Sequence, residues 1–149
     1  MDITHMISTL IITLIHTYIS HLGVRSPIAK FQREIGFVPQ EDVMVRSLTV
    51  SEILFHSAYT RLPNDLSEAE VRIQVEKVLD VLDLQELRNS VIGDELKRGV
   101  SGGQRKRVNI GIELVAAPVV LFLDEPTSGL DSSSSADVML ALRKVSTII

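Results

Sequence analysis

Two adjacent acids, Asp124 and Glu125, directly follow the continuous apolar run at residues 119–123. An apolar strand that ends in two carboxylates is costly unless something cationic meets them. In open α/β sheets ligands bind at the carboxyl ends of strands, where these two acids fall. One carboxylate can hold Mg²⁺, directly or through water, while the other polarises a water for attack on phosphorus. Taken by themselves, the two acids fit a solvated loop equally well. A second cluster is Ser101-Gly102-Gly103-Gln104, followed by Arg105, Lys106 and Arg107 and preceded by Lys97 and Arg98. With Ser101 as a helix cap, the two glycines fill the first turn and leave backbone N–H groups with no side chain in front of them. That is an anion site. The cations oppose the helix dipole there, and a bound phosphate would relieve the conflict. The bland alternative is a glycine-containing turn with a solvated basic face.

These clusters need elements to hold them. Residues 35–38 form a short apolar stretch stopped by Pro39, a strand that leads into a loop at Gln40, Glu41 and Asp42. Thr49 and Glu52 have capping-box spacing and start a helix through Ile53, Leu54 and Ala58 that runs until Pro63. Ser67 and Glu70 repeat the signal. The helix they start places Val71, Val75, Val78 and Leu82 on one face and turns Arg72, Glu76, Lys77 and Asp80 largely away. Ser101 and Gln104 make a third box. Val108, Ile110, Ile112 and Leu114 alternate as in a strand, yet the cap and the closing Ala116, Ala117 and Pro118 predict a helix. Residues 119–123 read as a strand of the kind buried on both faces of a parallel sheet. Asp131 can cap a last helix over Ser132–Val145, whose opening serine run at 132–135 is the one low-complexity tract.

The chain of 149 residues is 45% hydrophobic and 23% charged, enough for one packed core. A net charge of -4 argues against broad attraction to nucleic acid, whose binding surfaces leave a basic excess. With no Cys, neither a disulfide framework nor a thiolate metal site can form. Residues 3–24 stand apart. They contain no Asp, Glu, Lys or Arg, and Ile7, Leu10, Ile11, Leu14, Tyr18 and Leu22 recur at helical spacing. Such a helix reaches roughly 30 Å, long enough in principle to cross a bilayer. His5, His16, His21 and six Ser or Thr lower its insertion energy, and Asp2 stands where a signal peptide would be basic. A membrane span, a packed amphipathic helix and sequence foreign to the domain all stay open. The composition changes near residue 26, which divides an apolar helical leader at 1–26 from a mixed globular region at 27–149.

The combination of motifs carries a resemblance. Val100-Ser101-Gly102-Gly103-Gln104 resembles the signature of ABC ATPases, and VVLFLDEPTSGLD at 119–131 resembles a Walker B strand followed by the D-loop. Gly36-Phe37-Val38-Pro39-Gln40 resembles the Q-loop. The three stand in the family's order and at its separations, and the resemblance covers residues from about 30 to 149. The wider wording, GVSGGQRKRVNIGIELVAAP with DEPTSGLDSSSS, is most similar to the G subfamily, the white and pleiotropic-drug-resistance transporters.

The resemblance implies an α/β fold, an incomplete P-loop NTPase (RecA-like) core with a helical subdomain at 49–90 that faces the transmembrane part. It implies ATP and Mg²⁺ as cofactors. Asp124 would bind the metal, Glu125 would be the general base, and Gln40 would sense metal and γ-phosphate. Ser101, Gly102 and Gly103, with Gln104 in the same motif, would meet the γ-phosphate of ATP held by a second ABC ATPase domain in a head-to-tail dimer. Asp131 would link the two sites. The implied setting is an exporter with the ATPase domain on the cytoplasmic face, joined to a transmembrane domain.

Two family pieces are absent from these residues. A G-x-x-x-x-G-K-[ST] loop cradles phosphates, and no Gly-Lys pair occurs in the chain. The switch His beyond the D-loop is missing as well, the last His being His56. The expectation is therefore a transporter ATPase fragment that turns over negligible ATP by itself. Its sheet would be short of neighbours, which favours poor solubility. Two alternatives are a non-catalytic module that supplies a signature surface to a partner's ATP, and a soluble non-transport ABC ATPase. The latter is expected to carry coiled-coil insertions or basic arms, and neither is present in the sequence.

Overall fold

Among the described residues, reciprocal caps start three of the four helices. The computed structural model describes residues 35–94 and 99–147. The apolar leader with its boundary near residue 26, and the pair Lys97 and Arg98, lie outside the described residues. Contacts divide the chain between Gln32 and Arg33, and the fold below belongs to the second unit, Arg33–Ile149. Its elements are β1 (Ile35–Val38), α1 (Val50–Arg61), α2 (Glu68–Val81), a 3-10 turn at Gln85–Leu87, α3 (Gly102–Leu114), β2 (Val120–Leu123) and α4 (Ser132–Val145). Among the described residues no helix is long and apolar enough to cross a membrane.

At α1 the Glu52 N–H donates to Thr49 Oγ1 at 3.3 Å and the Thr49 N–H donates to Glu52 Oε2 at 2.8 Å. Ser67 with Glu70 does the same for α2, and Ser101 with Gln104 for α3. Asp131 caps α4 by accepting the Ser134 N–H at 3.5 Å. Each cap satisfies donors that a helix cannot satisfy internally. The alternation in 108–114 does not make a strand: Val108, Ile110 and Leu114 are buried along α3, but so are Asn109 and Gly111 between them. A helix wrapped on several sides buries residues of more than one face, which blurs the periodicity.

α3 is that wrapped helix. It packs against α1, α2, α4 and β1. The core between them holds Leu54, Leu79, Leu82, Ile110 and Val138, all without exposed surface. Gly111 is what lets α3 in: a Cβ there would lie 2.9 Å from Leu54 Cδ2 and 3.1 Å from Leu82 Cδ1. Near its C-terminus Glu113 receives two bonds from Arg61 of α1, at 2.8 and 2.9 Å. The same carboxylate accepts the Phe37 N–H of β1 at 3.1 Å, so a side chain takes a donor that another strand would otherwise use.

β1 and β2 pair in parallel, with Ile35 opposite Val120 and Val38 opposite Leu123. The strand over 119–123 was expected to be buried on both faces. Among the described residues it has β1 as its one neighbour, Val119 is 65% exposed, and every residue of β2 keeps some exposed surface. An apolar run records a strand's suitability for a two-sided core, not the layers that cover it.

Gly111→Ala should overpack α3 against α1 and α2 by about 1–3 kcal/mol, offset by about 1 kcal/mol of helix propensity. A urea midpoint equal to the wild type would contradict the tight crossing. The caps make a second prediction. The backbone and then the side-chain bonds from Thr49 lower the pKa of Glu52, and those from Ser67, side chain first, lower that of Glu70. A depressed carboxylate contributes stability above its unfolded value of about 4.3, lost as pH falls through the folded value. Gln104 shows that Gln serves at the same position. Glu52→Gln with Glu70→Gln should therefore keep the helices and reduce the loss of stability on acidification below about pH 4.3, read by denaturation at a series of pH values.

Candidate functional site

Parallel pairing puts the ends of β1 and β2 side by side, and both chains leave the sheet in the same direction. Val38 accepts the Asp124 N–H at 2.9 Å, which extends the ladder to the first acid. Glu125 follows with φ 43°, a left-handed conformation that costs a side-chain-bearing residue of order 1–3 kcal/mol. The strain sits where a turn begins, the Ser128 N–H donating to the Glu125 carbonyl at 3.0 Å. From the other strand, Gln40 Nε2 donates to Glu125 Oε2 at 2.9 Å and to Ser128 Oγ at 3.1 Å. Gln40, Asp124 and Glu125 are thus gathered at one sheet end. Ser128 joins them, a residue inside the Walker B and D-loop run to which the motif reading attached no role.

Asp124 is half-buried, and among the described residues its carboxylate accepts no hydrogen bond and joins no ion pair. Carboxylate, amide and hydroxyl oxygens are hard donors suited to Mg²⁺, which commonly takes one or two carboxylates and completes its shell with water and phosphate. Among the described residues no group of three or more acidic or His ligands exists. The donor set therefore fits a metal that arrives with a phosphate ligand and not one caged by protein.

The second cluster is built around the start of α3. The Ser101 hydroxyl accepts the Gln104 N–H at 3.3 Å, and the Ser101 N–H donates to Gln104 Oε1 at 2.8 Å. Among the described residues no acceptor takes the hydroxyl proton, which can serve an outside acceptor. Ser101 and Gly102 are exposed, whereas Gly103 is buried. A Cβ on Gly103 would come within 2.8 Å of Ser134 Cβ, in the first turn of α4. Helix packing therefore requires this glycine whether or not a phosphate meets its N–H. Asp131 starts the neighbouring helix and is exposed, its pKa lowered by the side-chain and backbone bonds of Ser134. The start of α3 thus lies against the start of α4, where a Cβ on Gly102 would be 3.4 Å from Leu130 Cδ2, the residue before Asp131. Two clefts of about 390 and 430 Å³ lie elsewhere, one at Leu114 and Pro118, the other at Phe55 and Arg72.

The basic residues after Gln104 answer to different partners than the sequence suggested. Lys106 is buried, its Nζ 2.9 Å from Asp42 Oδ1 and donating to the Gln40 carbonyl at 2.6 Å. Arg107 donates to the carbonyls of Leu82 at 2.8 Å and Asp83 at 3.2 Å, at the C-terminal end of α2, where a cation is favoured. Neither forms a solvated face or needs a phosphate to relieve it. A signal for Lys106 was present: Gly103, Lys106, Ile110 and Leu114 recur at helical spacing and are all buried. A cation on such a stripe calls for an anion within reach, which the half-buried Asp42 supplies with Asn109 Nδ2 3.4 Å from the same oxygen.

The two glycines separate packing from ligand contact. Gly103→Ala should destabilise the chain by about 1–3 kcal/mol through the Ser134 clash. Gly102→Ala, with Leu130 Cδ2 at an ordinary 3.4 Å, should be close to neutral. Equal urea midpoints for the two variants would contradict the packing role.

A family model described as ABC transporter matches residues 8–128. ABC transporter G family member 28 of Arabidopsis thaliana is 54% identical over 122 residues, 82% of this chain and 11% of that protein. ABC transporter G family member 25 of Oryza sativa subsp. japonica is 50% identical over 121 residues, 81% of this chain and 12% of that protein. A probable ATP-dependent permease of Saccharomyces cerevisiae is 44% identical over 124 residues, 83% of this chain and 12% of that protein. The chain thus spans roughly a tenth of the length of these curated relatives. A model match over most of the chain and identities of this size lead to one conclusion: the chain belongs to the ABC transporter family, in its G subfamily.

Proposed function

We propose that this chain is part of the nucleotide-binding domain of an ATP-driven membrane exporter, an incomplete P-loop NTPase core with its helical subdomain at residues 49–90. The contact of Gln40 Nε2 with Glu125 Oε2 carries the reading, because it joins two residues 85 positions apart at the carboxyl end of a parallel sheet. The family membership supplies the chemistry.

In this reading Asp124 would hold Mg²⁺ beside the phosphates of ATP, where the ion would supply neutralisation of phosphoryl charge. Glu125 is the general base, its Oε2 accepting the proton of the attacking water. Gln40 holds that carboxylate before nucleotide arrives and senses the metal and γ-phosphate afterwards. Ser101, Gly102, Gly103 and Gln104 form the surface presented to the γ-phosphate of a second ABC ATPase domain, with the Ser101 O–H and the glycine N–H groups as donors. Asp131 begins the helix beside that surface and links the two sites. The parent is membrane-associated, with this domain on the cytoplasmic face against a transmembrane domain. Nucleic acid is not a partner, in keeping with a net charge of -4.

No Gly-Lys pair lies within the 149 residues, so the chain has no phosphate-cradling loop of its own kind to offer. Purified alone, it should turn over negligible ATP. Mixed with a G-subfamily ATPase domain that carries an intact G-x-x-x-x-G-K-[ST] loop, it should form an ATP-dependent complex, visible by light scattering. Ser101→Arg should weaken that complex by about tenfold or more, a loss of about 1.4 kcal/mol. Turnover by the chain alone that Glu125→Gln abolishes would overturn the first expectation, and a complex indifferent to Ser101→Arg the second.

A further inference from the structure

We propose that Lys106 is a positioning residue that sets Gln40 against Glu125. Its ammonium is the one buried cation among the described residues, and it faces the loop after β1 and not the start of its own helix. Two contacts hold it: the Gln40 carbonyl at 2.6 Å and Asp42 Oδ1 at 2.9 Å. The side chain is 4% exposed and its Asp42 partner 17%, so water screens the pair poorly and geometry is tightly held. Asn109, three residues and about one turn further along α3, points its Nδ2 at the same Asp42 oxygen at 3.4 Å.

The chain direction at Gln40 follows from this grip. The residue's carbonyl is fixed from the α3 side, and its amide side chain reaches Glu125 and Ser128 at 2.9 and 3.1 Å. Gln40 is exposed and follows the ladder by two residues, so the sheet does not hold it. Lys106 does. It sits on the helix whose first turn carries Ser101, Gly102 and Gly103, five residues or fewer away, so any shift of α3 against the sheet is transmitted to Gln40. The functional meaning of this link rests on the nucleotide-site reading above, but the link itself is a property of the free chain.

The test uses the full 149-residue chain labelled at Gln side-chain nitrogen and observed by NMR, with the Gln40 amide assigned by its loss in Gln40→Met. Lys106→Met combined with Asp42→Leu removes both charges and leaves no buried ion orphaned. In that variant the Gln40 amide protons should exchange about five- to tenfold faster, the loss of about one hydrogen bond, and move to the shifts of a free Gln. The Ser101 and Gly103 backbone amides should not change. Arg61→Met with Glu113→Leu, which removes a different ion pair of α3, should leave the Gln40 signals as in the wild type. If the apolar pair does not fold, the neutral polar variant Lys106→Gln reads the same signal. Unchanged Gln40 exchange in a folded Lys106 variant would overturn the proposal, as would equal acceleration in the Arg61 and Glu113 control. A second arm adds the ATP-loaded G-subfamily domain: the Gln40 amide should shift in the wild type and not in the Lys106 and Asp42 variant, and a shift retained in the variant would overturn the link. Failure of the wild type to form any complex would count against the nucleotide-site reading, while the ligand-free spectra would still decide the role of Lys106.

Discussion

Four residues of parallel strand pairing set the terms for the rest of this molecule. Parallel strands cannot be joined by a tight turn, and here the whole of α1, α2 and α3 intervenes between β1 and β2. In return, both chains leave the sheet at the same end. That geometry lets Gln40, which follows one strand, bond to Glu125, which follows the other. It also places the strained φ of Glu125 and the turn to Ser128 where the second strand has just ended. An antiparallel pair of the same sequences would have sent the two residues to opposite ends.

The second constraint is the packing of α3, which uses each side of the helix for a different neighbour. Gly111 admits α1 and α2, Gly103 admits the start of α4, and Glu113 joins Arg61 to the edge of β1. Lys106 and Arg107 reach the loop after β1 and the end of α2. Little of this helix is left to solvent apart from its first turn, where Ser101 and Gly102 are exposed. A helix so engaged is a rigid mount, and a site on a rigid element is held more closely than one on a loop. Exposed apolar residues fall elsewhere, among them Tyr59 on α1, Ile73 on α2, Val119 and Val120 at the sheet, and Met139 and Leu140 on α4.

Much of this was legible in the residues. The caps at Thr49, Ser67, Ser101 and Asp131 marked all four helices of the described residues, because capping is a local exchange between residues three apart and needs no tertiary contact. The strand at Ile35–Val38 and the one before Asp124 were readable for the same reason, and the wording around Ser101 and Asp124 pointed to the family that the comparisons show. Least was legible where partners lie far apart in sequence. Lys106 looked like one of three solvated or phosphate-seeking cations, since its anion sits 64 positions earlier at Asp42 and no local pattern joins them.

The sequence by itself determined which segments become helix and strand, where they start, and which family's motifs they carry, all of which depend on neighbours within a turn or two. Tertiary structure decided the rest. It paired the strands so that Gln40 meets Glu125, buried Lys106 on a loop it could not have been assigned to, and gave Gly103 a packing duty beside any ligand duty. It also left β2 with exposed apolar surface where its composition suits a two-sided core. The physical reason is the same in each case: side-chain chemistry states what kind of partner a residue requires, and only the folded chain brings a particular partner within reach.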